Sequence, residues 1–187
     1  MFASQIVKRS WLFFVGGLLL GPVIGLMILI CGAWPWRATS KPPNWENTLG
    51  ARFLHVAVKR EAANLHSPIA ASDETLLAGM KIYRTNCAGC HGDFGQPSIW
   101  GSNAFYPRVP QFENAPPTLR SEKMFLVVRD GVRYSGMGAW KDLMSEEDSW
   151  KVVFFLSNLR SLPPPVRSAW ETRTTSVRVR SDGGTGE

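Results

Sequence analysis

Five consecutive residues, Cys87-Ala88-Gly89-Cys90-His91, constrain this 187-residue chain more than any other feature. Two cysteines that are separated by two residues and followed at once by histidine form the pattern of covalent c-type haem attachment. Each thiol can form a thioether with one vinyl group of the haem, and the short turn places the histidine beneath the iron as its proximal ligand. The pattern therefore predicts one covalently attached haem c, held by Cys87, Cys90 and His91.

Two other interpretations of the pattern stay open. A zinc site needs further soft ligands, and the remaining cysteine of the chain, Cys31, lies in an apolar segment. A redox disulfide of the thioredoxin type needs a βαβ context, which the neighbouring residues do not indicate. Haem attachment is favoured over both.

The N-terminus carries a long uncharged run. No charged residue occurs from Trp11 to Trp34, where Leu, Ile, Val, Phe and Gly predominate. This length is sufficient for a helix to cross the ~30 Å hydrocarbon core of a bilayer. A cleaved secretory signal is the competing interpretation, but the apolar part of such signals runs to only about 7–15 residues. We therefore predict a transmembrane anchor over residues 1–36.

Composition divides the rest of the chain into three parts. Residues 37–71 contain Pro42-Pro43 and an imperfect helical pattern, which predict a periplasmic stalk whose short helix lies over the membrane surface or against the haem domain. Residues 72–163 contain the haem pattern and are predicted to form the haem domain. Residues 164–187 are rich in Arg, Ser, Thr and Gly and are predicted to be a disordered tail.

Three helices are predicted in the haem domain. Ser72 is a candidate cap for the first, whose apolar stripe leads into the haem pattern. The second begins at Ser121 and stops at Gly131, and the third follows Ser145 and ends at a run of three prolines. Glycine and proline punctuate about 30 residues between the first two helices, which predicts a long loop wrapped around the haem.

Met137 is the candidate for the second axial ligand of the iron. It is flanked by two glycines, which let the backbone approach the haem closely enough for the thioether sulfur to reach the metal. Three other methionines lie in or beside apolar helical patterns and are predicted to fill the core: Met80, Met124 and Met144. An open or water-filled sixth site is the alternative to Met137.

With these features placed, residues 73–162 resemble class I cytochrome c, particularly the single-haem domains of bacterial respiratory complexes. The stretches that carry the resemblance are Met80–Gly92, Gly131–Trp140 and Ser145–Leu162. It implies an all-α class I cytochrome c fold, here preceded by an N-terminal transmembrane helix. The first and last helices of the domain are expected to cross near Gly79 or Tyr83 and Phe154.

The resemblance also implies roles for individual residues. Cys87 and Cys90 correspond to the thioether sites, His91 to the proximal ligand and Met137 to the distal ligand. Such domains often have a proline next to the methionine, where this chain has Gly138. Because buried propionates need donors, four residues are candidate partners for them: Trp100, Tyr106, Arg108 and Trp140.

These features predict a membrane-anchored mono-haem c-type cytochrome that transfers single electrons in a respiratory chain, an electron carrier rather than an enzyme. A haem-bearing subunit of a larger membrane oxidoreductase is the first alternative, in a quinol-oxidising complex, a terminal oxidase or a periplasmic dehydrogenase. A haem sensor or peroxidase-like enzyme is the second, but it needs an open iron site, against which ligation by Met137 argues.

The expected location and partners follow from the same features. Covalent haem attachment belongs to the outer face in bacteria, which predicts a single-pass protein of the inner (cytoplasmic) membrane with its haem domain in the periplasm. Two of the six net positive charges come from Lys8 and Arg9, so the part outside the membrane is only mildly basic. The expected partners are redox proteins of a membrane respiratory complex, with no nucleic acid among them.

Overall fold

The computed structural model describes residues 2–32, 36–112 and 116–172, and these residues are helical with no β-strand. Their helices are α1 (Phe2–Ile30), α2 (Asn44–Ala62), α3 (Asp73–Asn86), α4 (Ala88–His91), α5 (Ile99–Ala104), α6 (Ser121–Asp130), α7 (Glu146–Ser157) and α8 (Pro164–Glu171). The prediction of an all-α fold is confirmed. The chain divides into two compact units, Met1–Arg37 and Ala38–Glu187.

The first unit is the apolar helix α1. Its stretch Phe13–Ile30 has a mean hydropathy of 2.5 over 18 residues, and none of that stretch is buried. By length and composition α1 is able to cross a membrane, a criterion that a signal sequence near an N-terminus also meets. Residues 1 and 33–35 of the predicted anchor lie outside the described residues.

The core of the second unit is the crossing of α3 and α7. Gly79 lies against the backbone of α7, where a β-carbon would overlap the carbonyl group of Lys151. One turn later the Tyr83 ring packs on Phe155, with the two ring centroids 5.7 Å apart. The predicted crossing at Gly79 and Tyr83 is confirmed, although the α7 residues that meet them are Lys151 and Phe155 rather than Phe154.

Helices α6 and α2 extend this core outward in turn. The Phe125 ring of α6 stacks on Trp150 of α7 with their centroids 4.3 Å apart. On α2, Ala62 is buried, and the Nζ atom of the buried Lys123 lies 3.1 Å from Nε2 of His55. The segment predicted to hold a short, imperfect helix thus forms 19 helical residues, because packing on α6 stabilises a helix that its own pattern specifies weakly.

The prediction of a disordered tail over residues 164–187 is wrong for its first eight residues, which form α8. Val166 and Trp170, four positions apart, are buried, and the Trp170 ring meets Phe155 edge to face with centroids 5.0 Å apart. The Arg84 guanidinium lies 4.7 Å from the Trp170 ring centroid and donates to the carbonyl of Ala169. The run of three prolines that we predicted to end the third helix instead begins α8. Proline is tolerated there because the first N–H groups of a helix have no partner within the helix. Residues 173–187 of the predicted tail lie outside the described residues.

Candidate haem-binding site

The Cys-Ala-Gly-Cys-His segment forms a single helical turn directly after α3. The Cys87 N–H donates to the carbonyl of Tyr83, which continues the path of α3 into the turn. The N–H groups of Cys90 and His91 both donate to the Cys87 carbonyl, at 3.0 and 2.9 Å. Gly92 then leaves the turn with a φ of +84°, a conformation that favours glycine. Both thiols and the imidazole therefore start from one short, regular turn.

Every backbone carbonyl from Cys87 to Gly92 accepts a hydrogen bond, and four of these carbonyls are bound by residues outside the turn. The Cys87 and Ala88 carbonyls accept from N–H groups of the turn itself. The other four donors are Ser98 Oγ to Gly89, Gln111 Nε2 to Cys90, the Phe112 N–H to His91 and the Tyr83 hydroxyl to Gly92. Partners from α3 and from residues 98–112 therefore hold the turn in place.

The His91 side chain is held by two contacts. Its Nδ1 lies 2.8 Å from the Pro110 carbonyl oxygen, which can only accept, so Nδ1 carries the proton and Nε2 keeps its lone pair. The Phe112 ring stacks on the imidazole with centroids 4.8 Å apart and an angle of 5° between the planes. Burial lowers the pKa of His91, partly opposed by the bond to Pro110, and this favours the neutral form that binds a metal.

Cys87 does not have the properties of a redox-active cysteine, and the turn lacks the further ligands of a zinc site. Burial, and secondarily the neighbouring Cys90, raises the pKa of Cys87 to about 12. Redox-active CxxC cysteines have a lowered pKa instead. Within the described residues, no three His, Cys, Asp or Glu side chains are grouped as a metal site would require. Both alternatives to haem attachment lose support.

Met137 lies in a turn that follows α6. The Val132 N–H donates to the Met137 carbonyl at 2.9 Å, and the Met137 N–H donates to Ser135 Oγ at 3.1 Å. Gly131, at a φ of +70°, begins this turn, and a β-carbon on it would lie 2.8 Å from the Met137 carbonyl oxygen. The Met137 side chain is half-buried against the hydrophobic core. Its role as distal ligand stays a prediction.

The short helix α5 joins the haem-pattern turn to the Met137 turn. Gly101 lies so close to the Cys90 carbonyl that a β-carbon there would overlap it. The Phe105 ring, directly after α5, lies against Gly136, where a β-carbon would overlap the ring. We predicted only a loop here, although Ser98 carries the sequence signal of an N-cap and accepts from the Gly101 N–H. A six-residue helix has too few apolar positions to show a period.

The comparison with protein families agrees with this geometry. A family model described as cytochrome c oxidase, cbb3-type, subunit III, matches residues 74–156. The match runs from the first turn of α3 into α7, so it includes the haem-pattern turn, α5 and the Met137 turn.

Residues 74–156 are a class I c-type cytochrome domain.

No curated protein matches the chain. The family match nevertheless assigns the cytochrome domain its general function, haem binding and electron transfer. The residues described above fit that cofactor: two thiols and a neutral imidazole leave one turn, and half-buried apolar side chains border the core beside it. Those side chains include Phe112, Leu119, Met137 and Trp140. They offer the apolar contact that a flat, largely apolar group needs.

Three of the four candidate propionate partners of the cytochrome domain have other contacts. The Arg108 guanidinium donates to five backbone carbonyls, those of Ala38, Thr39, Ser40, Asn103 and Phe105. A hydrogen bond to the Glu46 carboxylate raises the pKa of Tyr106. The Arg108 side chain thus ties residues 38–40 to the loop that follows the haem pattern, and its role as a propionate partner stays a prediction. Trp100 packs edge to face on Phe105, and Trp140 is half-buried.

Proposed function

We propose that this chain is a membrane-anchored, mono-haem c-type cytochrome that carries single electrons in a bacterial respiratory chain. The observation that supports it most is the turn from Cys87 to Gly92, whose carbonyls are all bound and whose histidine keeps Nε2 available. A haem held there supplies an iron that gains and loses one electron.

The protein residues have distinct tasks in this proposal. Cys87 and Cys90 hold the cofactor through thioethers, and His91 provides the proximal nitrogen. The Pro110 carbonyl fixes the His91 tautomer, and the stacked Phe112 ring restricts rotation of the imidazole. A ligand held in this way changes little between oxidation states, which suits a carrier.

Met137 is the proposed distal ligand. Its half-buried side chain lies in a turn that Phe105 links to the haem-pattern segment. Histidine–methionine ligation raises the reduction potential of a haem, and filling both axial positions keeps other small molecules from the iron. Both effects favour an electron carrier over a sensor or a peroxidase.

Helix α1 supports the membrane part of the proposal. It contains a described stretch long and apolar enough to span a bilayer, and covalent haem attachment in bacteria takes place outside the cytoplasm. We therefore propose a single-pass protein of the inner membrane with the cytochrome domain in the periplasm. Its electrons would be exchanged with redox proteins of a membrane respiratory complex.

One observation favours a second candidate function, a haem-bearing subunit of a larger oxidoreductase. The family model that matches residues 74–156 is described as an oxidase subunit. Purification in a mild detergent distinguishes the two functions: a carrier elutes alone, whereas a subunit elutes with stoichiometric membrane partners.

The proposal is tested on the full chain produced with the haem-attachment machinery. We expect one haem per chain that stays with the polypeptide after denaturation, and a protein that stays in the membrane after an alkaline carbonate wash. A variant with both Cys87→Ser and Cys90→Ser is the control and should lose covalent haem. Haem that acid–acetone extracts from the parent protein contradicts covalent attachment, and release by carbonate contradicts the anchor.

A further inference from the structure

Helix α2 has two faces of different character. Leu54, Val58 and Ala62 recur every four residues and are the least exposed apolar residues of the helix, with Ala62 buried. A helix turns by about 100° per residue, which places four large apolar side chains on the side opposite to Leu54, Val58 and Ala62. These side chains are between 42 and 67% exposed: Trp45, Leu49, Phe53 and Val56. An apolar stripe of this size on a protein surface indicates an interaction site.

The acidic and basic residues of α2 differ in their surroundings. Glu46 accepts the hydrogen bond from Tyr106. The pKa of Arg129 is raised mainly by its hydrogen bond to Asp130, with a smaller contribution from Glu61. Glu46 therefore has a partner in the cytochrome domain, and Glu61 lies near enough to Arg129 of α6 to interact with it. The exposed basic residues Arg52, Lys59 and Arg60 fall on the side of the apolar stripe, and Glu46, the partner of Tyr106, lies at the edge of that stripe. We call this side the outer face of α2; its residues are Trp45, Leu49, Arg52, Phe53, Val56, Lys59 and Arg60.

The outer face belongs to a helix that is fixed to the cytochrome domain by a contact within α2 and by contacts just before it. His55 of α2 contacts the buried Lys123 of α6. Just before α2, the carbonyls of residues 38–40 accept hydrogen bonds from Arg108 at 2.9 to 3.1 Å. The outer face therefore does not turn inward to bury its apolar side chains.

The length of the chain places this face near the membrane if α1 is the anchor. Eight Cα–Cα steps separate Ile30, the last residue of α1, from Ala38, and a chain of that length reaches at most about 28 Å. Residues held by Arg108 are thus tethered close to the bilayer surface. A lipid surface is therefore a large apolar partner within reach of this tether.

We propose that the outer face of α2 lies in the headgroup layer of the membrane, with its apolar stripe at the acyl boundary and its basic side chains on anionic headgroups. Interfacial helices combine these two features, and tryptophan is enriched at that depth. The long stems of arginine and lysine let their charges reach the headgroups beside the apolar stripe. The inference rests on the anchoring part of the proposed function. Its consequence is that the cytochrome domain keeps one orientation to the bilayer, with α2 beneath it.

The test uses the full haem-loaded chain, incorporated as a single copy into lipid nanodiscs of phosphatidylethanolamine and phosphatidylglycerol. Cys31→Ser removes the thiol not committed to haem, and one cysteine is then introduced by Phe53→Cys or Val56→Cys on the outer face. Ala51→Cys is the matched control, since Ala51 is an exposed residue of the same helix outside that face. Alkylation by a charged, membrane-impermeant maleimide is followed by gel shift.

We expect the outer-face thiols to react about tenfold or more slowly than the control in these discs. The protection should shrink when Arg52, Lys59 and Arg60 are all changed to Gln, or when all lipids are zwitterionic. Equal rates at Phe53→Cys and Ala51→Cys overturn the proposal. Protection found in native membranes but absent from the discs also overturns it, because a protein then covers the face.

The alkaline carbonate wash shows separately whether α1 anchors the chain in the membrane. A chain that stays in the membrane and has unprotected outer-face thiols overturns the role of α2 alone. A chain that the wash releases overturns the anchor and, with it, this inference.

Discussion

The turn that carries His91 and the turn that carries Met137 are held by different kinds of contact. Around His91, four carbonyl groups are bound by Tyr83 and by residues 98–112, and Phe112 stacks on the imidazole. Around Met137, the hydrogen bonds come from within the turn and from the adjoining helix α6. The long-range steric contact of that turn is the Phe105 ring against Gly136.

This difference indicates a division of tasks between the two sides. Local opening of a protein is easiest where few long-range contacts hold the backbone. We therefore expect the His91 side to set whether haem is attached and the domain folds, and the Met137 side to set the reduction potential at small cost in stability. Substitutions that alter the contacts of only one of the two turns test this division of tasks.

The largest effect is expected from Gly101→Ala on the His91 side. The new β-carbon would overlap the Cys90 carbonyl, and because both are backbone groups neither can move away cheaply. Overpacking of this kind should lower the free energy of unfolding by about 3 kcal/mol and reduce the yield of attached haem. Urea denaturation and the haem content per chain measure both. Parent-like values for the variant would contradict the tight contact between α5 and the haem pattern.

A smaller effect is expected from Phe112→Ala, which removes the ring stacked on His91. Loss of a half-buried aromatic side chain should cost about 2 kcal/mol, and freer rotation of the imidazole should broaden the electron paramagnetic resonance signal of the ferric form. Phe94→Ala is the matched control, because that half-exposed ring packs on Trp170 instead. If both variants change the ferric signal equally, the stacked Phe112 ring does not restrict the His91 imidazole.

The smallest effect is expected on the Met137 side, from the two glycines that flank the methionine. A β-carbon at Gly136 would overlap the Phe105 ring, whereas one at Gly138 meets open space. Gly136→Ala should therefore lower the free energy of unfolding by about 1 kcal/mol and shift the reduction potential. Gly138→Ala should leave both close to the parent. If redox titration shows a larger shift of the reduction potential for Gly138→Ala than for Gly136→Ala, the contact between Phe105 and Gly136 does not connect the two turns.

Local signals account for what the sequence could predict. The haem pattern and the caps at Ser72 and Ser145 follow from spacing and capping chemistry within one segment. The crossing at Gly79 was implied by the resemblance to class I cytochrome c. The contacts of Arg108 with Ala38, Thr39 and Ser40 could not be predicted, since these residues lie about 70 positions away in the chain and carbonyls occur at every position. Helix α8 was missed because its stability comes from burial of Trp170 on α3 and α7, which its polar composition does not reveal.

The central claim is that His91 and Met137 together ligate the haem iron, and the sulfur-to-iron charge-transfer band of the ferric protein tests it most directly. The spectrum is recorded for the parent protein and for Met137→Leu, a substitution of similar volume that should keep the haem attached and the fold intact. We expect the band in the parent, its loss in the variant, and a lower reduction potential for the variant. A parent protein without the band, or a variant that retains it, would contradict ligation by Met137.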